Sequence, residues 1–466
     1  MSARASSVRS GQDPGRQATR VAPRPWRSTG RDRDILRELG AQIAEISALP
    51  AQLETTAQWR ALNGLKPVRP MVAIDQLPWH ELSKDEPELT VHSDDPFCRG
   101  IETQLRRTLY SWNHMRADMV VEPEIIVPKV LRIDGFGIGM EQETAILDPT
   151  NDIVGHHYID QLATEEDVEK IKPPVIDFDA VATARVEERA HEIFDGVVPV
   201  RLQGWVPGVN QWPGLEAQPE TRHLVHDWPD EVLTGGFNLW DIIAFWRGAN
   251  AILLDLVDRP DHMHEIMSRL TDAFLSMLDE METRGLLGSG QATIHCSPAY
   301  TEELPQPGFD PARPRAEDLW TMGMGQILTS VSPAMFEEFE VAYTIKWYAR
   351  FGLGYYGCCD VLDKRIDLIR TIPHVRKVSM SPWANVERGA ENIGRDFVFS
   401  RKPNPAFLAT DSWEPDAVAK DLEITLQACR RNGTPLEFIL KDVSTIRYDP
   451  HRLWDWVDTA MRLVRQ

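Results

Sequence analysis

The sequence has few cysteines and no long apolar run. Its five cysteines, in a chain of 466 residues, are too few and too scattered for a disulfide framework. No stretch approaches the roughly 18 uninterrupted apolar residues that a membrane span requires. An apolar signal segment is also missing. We therefore expect a cytoplasmic protein with reduced thiols.

Positive charge is scarce as well. Lys and Arg number 50 against 71 Asp and Glu, which gives a formal net charge of −21. A field of this sign repels nucleic-acid phosphates and anionic lipids, so we expect neither as a partner. The sequence also lacks a Gly-x-x-x-x-Gly-Lys phosphate loop, a Gly-x-Ser-x-Gly nucleophile elbow and a His-Glu-x-x-His zinc motif.

Residues 1–33 differ in composition from the rest of the chain. They contain eight arginines and two acidic residues, Asp13 and Asp32, with almost nothing apolar. Such a segment buries too little surface to offset its ordering entropy, and we predict a disordered basic tail. An organelle transit peptide has a similar composition and is the alternative. Residues 34–466 are predicted to form the folded part.

Short apolar stretches alternate with amphipathic ones along the folded part. Strands are predicted at 70–75, 125–133, 197–202, 292–296, 352–358, 377–380, 396–400 and 436–440. Helices are predicted from residue 34, at 51–65, 179–194, 239–257, 260–284, 333–350, 361–371, 414–432 and 451–464. This alternation indicates an α/β fold with a parallel sheet. About eight strands without a Gly-x-Gly-x-x-Gly turn favour a (β/α)8 TIM barrel with an N-terminal helical extension.

Thiols and an imidazole follow two of the predicted strands. One strand ends in His295 and Cys296, and another ends in Cys358, which Cys359 and Asp360 follow. Imidazole and thiolate bind zinc, and a catalytic zinc site uses three protein ligands with one open position. Small buried thiols and a hydrogen-bonded histidine would explain the same residues without a metal.

Two further strands end in charged residues. Arg401 and Lys402 follow one of them and would bind a carboxylate or phosphate, unless they are solvated charges in a Pro-rich turn. Asp442 follows the last strand, where an acid would act as a base, a ligand or an ion-pair partner. Fifteen tryptophans against eight tyrosines, Trp383 among them, suit either the core or a pocket for an aromatic ligand.

Several stretches together resemble a known family. They are residues 61–70, 254–264, 330–339 (Ser-Val-Ser-Pro-Ala-Met-Phe-Glu-Glu-Phe), 354–359 (Gly-Tyr-Tyr-Gly-Cys-Cys) and 399–405 (Phe-Ser-Arg-Lys-Pro-Asn-Pro). In these stretches the chain is similar to the uroporphyrinogen decarboxylase superfamily, a group of (β/α)8 barrels that includes zinc- and corrinoid-dependent methyltransferases. The similarity extends over residues 57–466 and is weaker before residue 240.

The chain departs from both branches of that family. True uroporphyrinogen decarboxylases grip substrate carboxylates with an Arg-Gln-Ala-Gly-Arg motif, whereas residues 74–80 here contain no arginine. The methyltransferases bind zinc through a His-x-Cys pair and a distant Cys. Cys358 matches that Cys, but Tyr356 stands in the His position and no Cys lies near residues 441–442. A reassembled zinc set would use His295 with Cys358 or Cys359, and an acid such as Glu302 or Asp442.

The resemblance implies a zinc-assisted methyltransferase that moves a methyl group from a small methoxy or methylamine substrate to a corrinoid. No Asp-x-His-x-x-Gly corrinoid signature is present, so the corrinoid would arrive on a partner protein. The expected catalytic residues are Asp360, Asp442 and Lys402, and the expected substrate-binding residues are Arg401, Asn404, Tyr356 and Trp383. A homodimer is typical of such barrels.

Two alternatives remain open at this point. One is a metal-independent decarboxylase or lyase acting on another acid, in which Asp442 or Asp75 protonates a carbanion-like intermediate. The other is a non-catalytic binding barrel. The missing arginine motif and the incomplete zinc set both favour a binding barrel over an enzyme.

Overall fold

The computed structural model describes residues 29–133, 135–145, 155–208 and 236–466. Most of the predicted basic tail and the loop at 210–221 lie outside these ranges. The first helix begins at Gly30, inside the segment assigned to the tail. The Thr29 side chain and the Asp32 side chain cap this helix reciprocally, which satisfies its free N–H groups.

Helices lie between the strands along the described chain. The α-helices are α1 (Gly30–Ser47), α2 (Pro50–Asn63), α3 (Trp79–Leu82), α4 (Pro96–His114), α5 (Ala180–Phe194), α6 (Leu239–Arg247), α7 (Ala249–Asp258), α8 (Pro260–Thr283), α9 (Pro333–Phe336), α10 (Ala342–Tyr348), α11 (Ile366–Ile369), α12 (Val386–Ile393), α13 (Ala406–Ala409), α14 (Pro415–Asn432) and α15 (His451–Val464). Within the described residues, no helix is both long and apolar enough to cross a membrane.

The strands are short and mostly buried. They are β1 (Met71–Ile74), β2 (Ile125–Pro128), β3 (Leu131–Ile133), β4 (Gln142–Ala145), β5 (Gly155–Tyr158), β6 (Ile176–Phe178), β7 (Val200–Gln203), β8 (Thr293–Ile294), β9 (Ser297–Pro298), β10 (Trp320–Gly323), β11 (Leu353–Tyr356), β12 (Val375–Met380), β13 (Val398–Arg401) and β14 (Leu436–Leu440).

Six of these strands form one parallel sheet in the order β1-β14-β13-β12-β11-β10. Strands β2 and β7 form a separate parallel pair, and β3–β6, β4–β5 and β8–β9 are antiparallel pairs. The predicted α/β architecture with a parallel sheet is therefore confirmed.

A closed eight-stranded barrel is not confirmed. In the described residues, Phe237 forms a single parallel bridge with Gly323 on β10, and Trp205 forms one with Leu287. Neither bridge extends into a strand ladder of the kind that closes a barrel. The backbones at the second bridge approach so closely that a Cβ on Gly204 would lie 2.3 Å from the Leu286 carbonyl oxygen. The bridge has the two hydrogen bonds of a parallel pair, from the Trp205 N–H to the Leu286 carbonyl and from the Gly288 N–H to the Trp205 carbonyl.

Two strand predictions need correction. The strand predicted at 292–296 ends at Ile294, because His295 and Cys296 form the two-residue turn of the hairpin β8–β9. Both turn residues have positive φ, 44° and 66°, as a tight hairpin turn requires. Strand β10 was not predicted, because its Trp-Thr-Met-Gly sequence is buried throughout and shows no alternation.

Two predicted helices are interrupted. The helix predicted at 239–257 breaks at Gly248, which adopts a φ of 80° between α6 and α7. The helix predicted at 333–350 contains a π-helical turn, Glu337–Val341, between α9 and α10. Such turns are frequent at functional sites, and this one directs a carboxylate, Glu340, into the interior.

A buried ion pair joins three strands in the middle of the fold. Lys377 on β12 and Glu437 on β14 are both 0% exposed, and Lys377 Nζ lies 2.8 Å from Glu437 Oε2. The Ser297 hydroxyl on β9 lies 2.6 Å from the same Nζ and 2.9 Å from Glu437 Oε1. The ring of Trp59 lies 5.6 Å from the ammonium. The pair therefore fixes the hairpin β8–β9 to the sheet.

Replacing one member of this pair should destabilise the fold strongly. Lys377→Met leaves Glu437 buried and unpaired, so the free energy of unfolding should fall by about 3–5 kcal/mol in urea denaturation. The double variant Lys377→Met/Glu437→Leu should recover most of this loss, because no unpaired charge remains. Lys66→Met, which removes an exposed ion pair with Glu302, is the control and should leave the midpoint unchanged. Equal losses in the single and double variants would contradict a coupled pair.

Candidate active site

The candidate site lies where the parallel strands end. Cys358 follows β11 by two residues, Lys402 directly follows β13, and Lys441 directly follows β14. Carboxyl ends of parallel strands meet at one edge of a sheet, and ligands of such sheets bind there. Lys441 Nζ lies 3.2 Å from Cys358 Sγ, although 83 residues separate the two along the chain.

The turn of the hairpin β8–β9 lies against this edge. The imidazole of His295 is half-buried, its ring lies 5.3 Å from that of Tyr355, and it interacts with the Cys358 thiol. Burial lowers the pKa of His295, so the ring is neutral at pH 7. Its Nε2 atom is buried, and within the described ranges no hydrogen-bond partner reaches it.

Two adjacent thiols form a cluster with Lys441 and Asp442. Cys358 Sγ and Cys359 Sγ are 3.7 Å apart, and Cys359 Sγ lies 3.7 Å from Asp442 Oδ2. Lys441 Nζ lies 3.4 Å from the same Asp442 oxygen. All five cysteines are free, and Cys359 is the exposed one among them. We call these four residues the thiol–lysine cluster.

Within the thiol–lysine cluster, the Cys359 thiol ionises more easily than the Cys358 thiol. The hydrogen bond from Cys358, helped by the charge of Lys441, lowers the pKa of Cys359. The same hydrogen bond, together with burial, raises the pKa of Cys358 to about 12. Burial opposes the charge of Lys441, but the thiols and Asp442 outweigh it and raise the pKa of Lys441. A charged ammonium therefore stands beside an exposed thiol that ionises readily.

Lys402 is a second buried cation at this edge, and it faces neutral groups. Its side chain is 3% exposed. Its Nζ lies 2.5 Å from the Tyr355 hydroxyl and 3.0 Å from the Ser400 hydroxyl. No carboxylate of the described residues forms an ion pair with it. A buried charge without a counterion is costly, and an anionic ligand would supply the missing charge.

The structure brings some of the predicted residues together. His295, Cys358, Cys359, Asp442 and Lys402 all lie at the carboxyl edge. Asp360 lies just beneath them, where its Oδ2 accepts a hydrogen bond from the Cys358 backbone N–H at 2.8 Å. Burial raises the pKa of Asp360, which has no solvent exposure. This contact suits Asp360 to positioning Cys358.

The structure places the predicted substrate-binding residues elsewhere. Arg401 faces away from Lys402, because neighbouring strand residues point to opposite sides, and it donates to the Ser381 carbonyl. The side-chain oxygen of Asn404 accepts from the backbone at the start of α13. Trp383 is 70% exposed. The hydroxyl of Tyr356 donates to Glu340 on the helical side of the sheet. None of these contacts joins the thiol–lysine cluster.

The donor atoms present do not match the zinc set that the resemblance implies. No group of three or more His, Cys, Asp or Glu side chains in the described ranges is arranged to hold a metal ion. The Lys441 ammonium contacts both Cys358 and Asp442, where it would repel a divalent cation. Glu302, a suggested fourth ligand, pairs instead with Lys66 on the surface. Zinc binding by His295, Cys358 and Cys359 remains a prediction.

Sequence reasoning missed two charged groups. Asp442 is among the predicted site residues and Lys441 is not, although Lys441 is the first residue after β14 and so lies at the edge. Glu340 was not considered at all. Its carboxylate accepts from Trp240 Nε1 at 2.7 Å, from Thr344 Oγ1 at 2.9 Å and from the Tyr356 hydroxyl. A carboxylate embedded in a helix with apolar neighbours gave no signal in the sequence.

Comparisons with known proteins give limited information. No model of a known protein family matches the chain, and no curated protein matches it. Among solved structures, 22 chains match. One is a methyltransferase from Methanosarcina mazei, similar over 88% of this chain and 98% of that chain, with 8% sequence identity and a TM-score of 0.44. At that TM-score we draw neither fold nor function from the match.

The lowered pKa of Cys359 should be visible in its alkylation. Iodoacetamide should modify Cys359 before the buried thiols, with a half-maximal rate below pH 9.0, the ordinary value for a cysteine thiol. Mass spectrometry of tryptic peptides at several pH values measures this profile. Cys359→Ser should remove the fast reaction, whereas Cys98→Ser, at a buried thiol, should retain it. A profile identical to that of the urea-unfolded chain would contradict the assignment.

Glu340 should make stability depend on pH. Burial raises the pKa of Glu340 from 4.5 to about 7. Between these values the folded chain binds more protons than the unfolded chain, so this group lowers the free energy of unfolding as pH rises. Glu340→Gln should remove this dependence. Its free energy of unfolding should therefore rise relative to that of wild type by up to about 3 kcal/mol between pH 4.5 and pH 8. Urea denaturation across this range measures the difference, and parallel curves for the two proteins would exclude the shift.

Proposed function

We propose that the chain is an enzyme that transfers a methyl group from a small, negatively charged substrate at the carboxyl edge of the sheet. The observation that carries the proposal is Lys402, a buried ammonium whose described partners are two hydroxyl groups. A substrate carboxylate or phosphate would pair with this charge. The thiol–lysine cluster lies at the same edge and supplies reactive groups.

The roles of the residues follow from their contacts. Lys402 binds the anionic group of the substrate, and the hydroxyls of Tyr355 and Ser400 orient the ammonium. Lys441 and the thiols form a connected set of donors that reaches solvent at Cys359. When the bond between the methyl carbon and its heteroatom breaks, the electron pair stays on the heteroatom. This cluster supplies the proton that the heteroatom then takes.

The methyl acceptor in this proposal is a corrinoid carried by a partner protein. When bound, a reduced corrinoid would supply the electron pair for the new bond to the methyl carbon, so charge and electrons balance with the single proton from the cluster. The motif Gly-Tyr-Tyr-Gly-Cys-Cys at 354–359, which resembles the corrinoid-dependent methyltransferases, supports this assignment. No described residue is assigned to bind the corrinoid itself.

A second candidate function is a carboxy-lyase acting on a small acid. The contact of 2.5 Å between Lys402 Nζ and the Tyr355 hydroxyl favours it, because such a pair can deliver a proton to carbon. The bond to the carboxylate carbon would break, its electron pair would remain on the substrate carbon, and that carbon would take the proton. The product distinguishes the two candidates, since a lyase releases carbon dioxide and leaves methyl groups in place.

An assay with a substrate panel tests the proposed function. The purified protein is incubated with methoxybenzoates and N-methylated amino acids in the presence of free cob(I)alamin, and demethylated product is measured by mass spectrometry. Lys402→Met should lower kcat/KM by at least about 100-fold, because the substrate anion loses its charge-assisted partner. Lys420→Met, at an exposed lysine on α14, is the control and should keep wild-type activity.

Two results would count against methyl transfer. Carbon dioxide release without demethylation would favour the lyase. Substrate-panel compounds that bind to wild type and not to Lys402→Met, with no turnover of either kind, would favour the non-catalytic barrel.

A further inference from the structure

The thiol–lysine cluster encloses a positive charge that belongs to the chain itself. Lys441 Nζ lies 3.2 Å from Cys358 Sγ and 3.4 Å from Asp442 Oδ2, and its side chain is 3% exposed. Cys359 Sγ lies 3.7 Å from both of those acceptor atoms. Cys358 and Asp442 thus contact the ammonium, and Cys359 contacts both of them.

The separation of the two sulfurs is one that also occurs between two thiolate ligands of a zinc ion. A zinc–sulfur bond of about 2.3 Å in a tetrahedron places two sulfur ligands about 3.8 Å apart. Cys358 Sγ and Cys359 Sγ are 3.7 Å apart, close to that distance. Two of the acceptor atoms, Cys358 Sγ and Asp442 Oδ2, contact one cation, and that cation is an ammonium.

We infer that the Lys441 ammonium serves as the cation of this site in place of a zinc ion. It offsets the charge of Asp442, and it is held by the end of β14 rather than by exchangeable ligand bonds. Unlike zinc, an ammonium donates hydrogen bonds, so it can stabilise the negative charge on a leaving group by hydrogen bonding instead of by Lewis-acid polarisation. This deepens the proposed function and rests on it for the use of the cluster in catalysis.

Zinc binding tests the inference without any substrate. Wild type, Lys441→Gln, Lys441→Arg and the double variant Lys441→Gln/Cys358→Ser are dialysed against zinc and analysed for bound metal by mass spectrometry. Wild type should bind zinc at least about tenfold more weakly than Lys441→Gln, because a charged ammonium repels a divalent ion from the shared donors. Lys441→Arg keeps the charge and should resemble wild type. The double variant should lose the binding that Lys441→Gln gains.

Two outcomes would overturn the inference. The first is about one tightly bound zinc per wild-type chain that Cys358→Ser removes, since a metal would then be the cation. The second is no gain of zinc by folded Lys441→Gln, since Lys441 would then not occupy the position of a cation. Circular dichroism establishes folding, and Lys441→Met replaces Lys441→Gln if the glutamine variant is unfolded. Because zinc content is measured without substrate, a failure of the methyl-transfer assay leaves this result standing.

Discussion

Parallel pairing of six strands is the constraint on which the rest of the structure depends. Each strand in the order β1-β14-β13-β12-β11-β10 runs in the same direction, so the residue after each strand lies at the same edge. Cys358, Lys402 and Lys441 are neighbours in space for this reason alone, because long helical connections separate them along the chain. The buried pair of Lys377 and Glu437 holds the middle of this sheet, on which the edge is built.

The charges at this edge are unlike those of the whole chain. The protein has a formal net charge of −21, yet two nearly fully buried lysines face its carboxyl edge. The first, Lys441, is matched by thiols and Asp442, and the second, Lys402, contacts hydroxyl groups. An acidic surface repels anions at long range, so the proposed anionic substrate would gain its binding energy at short range, where solvent is excluded.

Much of the fold could be predicted from the sequence, and rather less of the site. The strand β14 and the helix α15 have the predicted bounds, because apolar runs and turn residues delimit them. Strand ends also pointed to the thiols and to Lys402. The direction of each side chain could not be predicted: Arg401 and Lys402 are adjacent, and only the pleat of β13 decides which one reaches the site. The tight turn at His295 was hidden because its residues are not the usual Asn and Gly.

The attachment of the hairpin β8–β9 has a consequence for how the chain can vary. The Ser297 hydroxyl is bound to Lys377 and Glu437 in the interior, which fixes the hairpin independently of the loop that follows it. The segment from residue 300 to 316 can therefore change in length or composition without displacing His295. That segment lies at the amino end of the sheet, where Glu302 pairs with Lys66 and Glu303 pairs with Arg376. Insertions there would therefore leave the groups at the carboxyl edge unchanged.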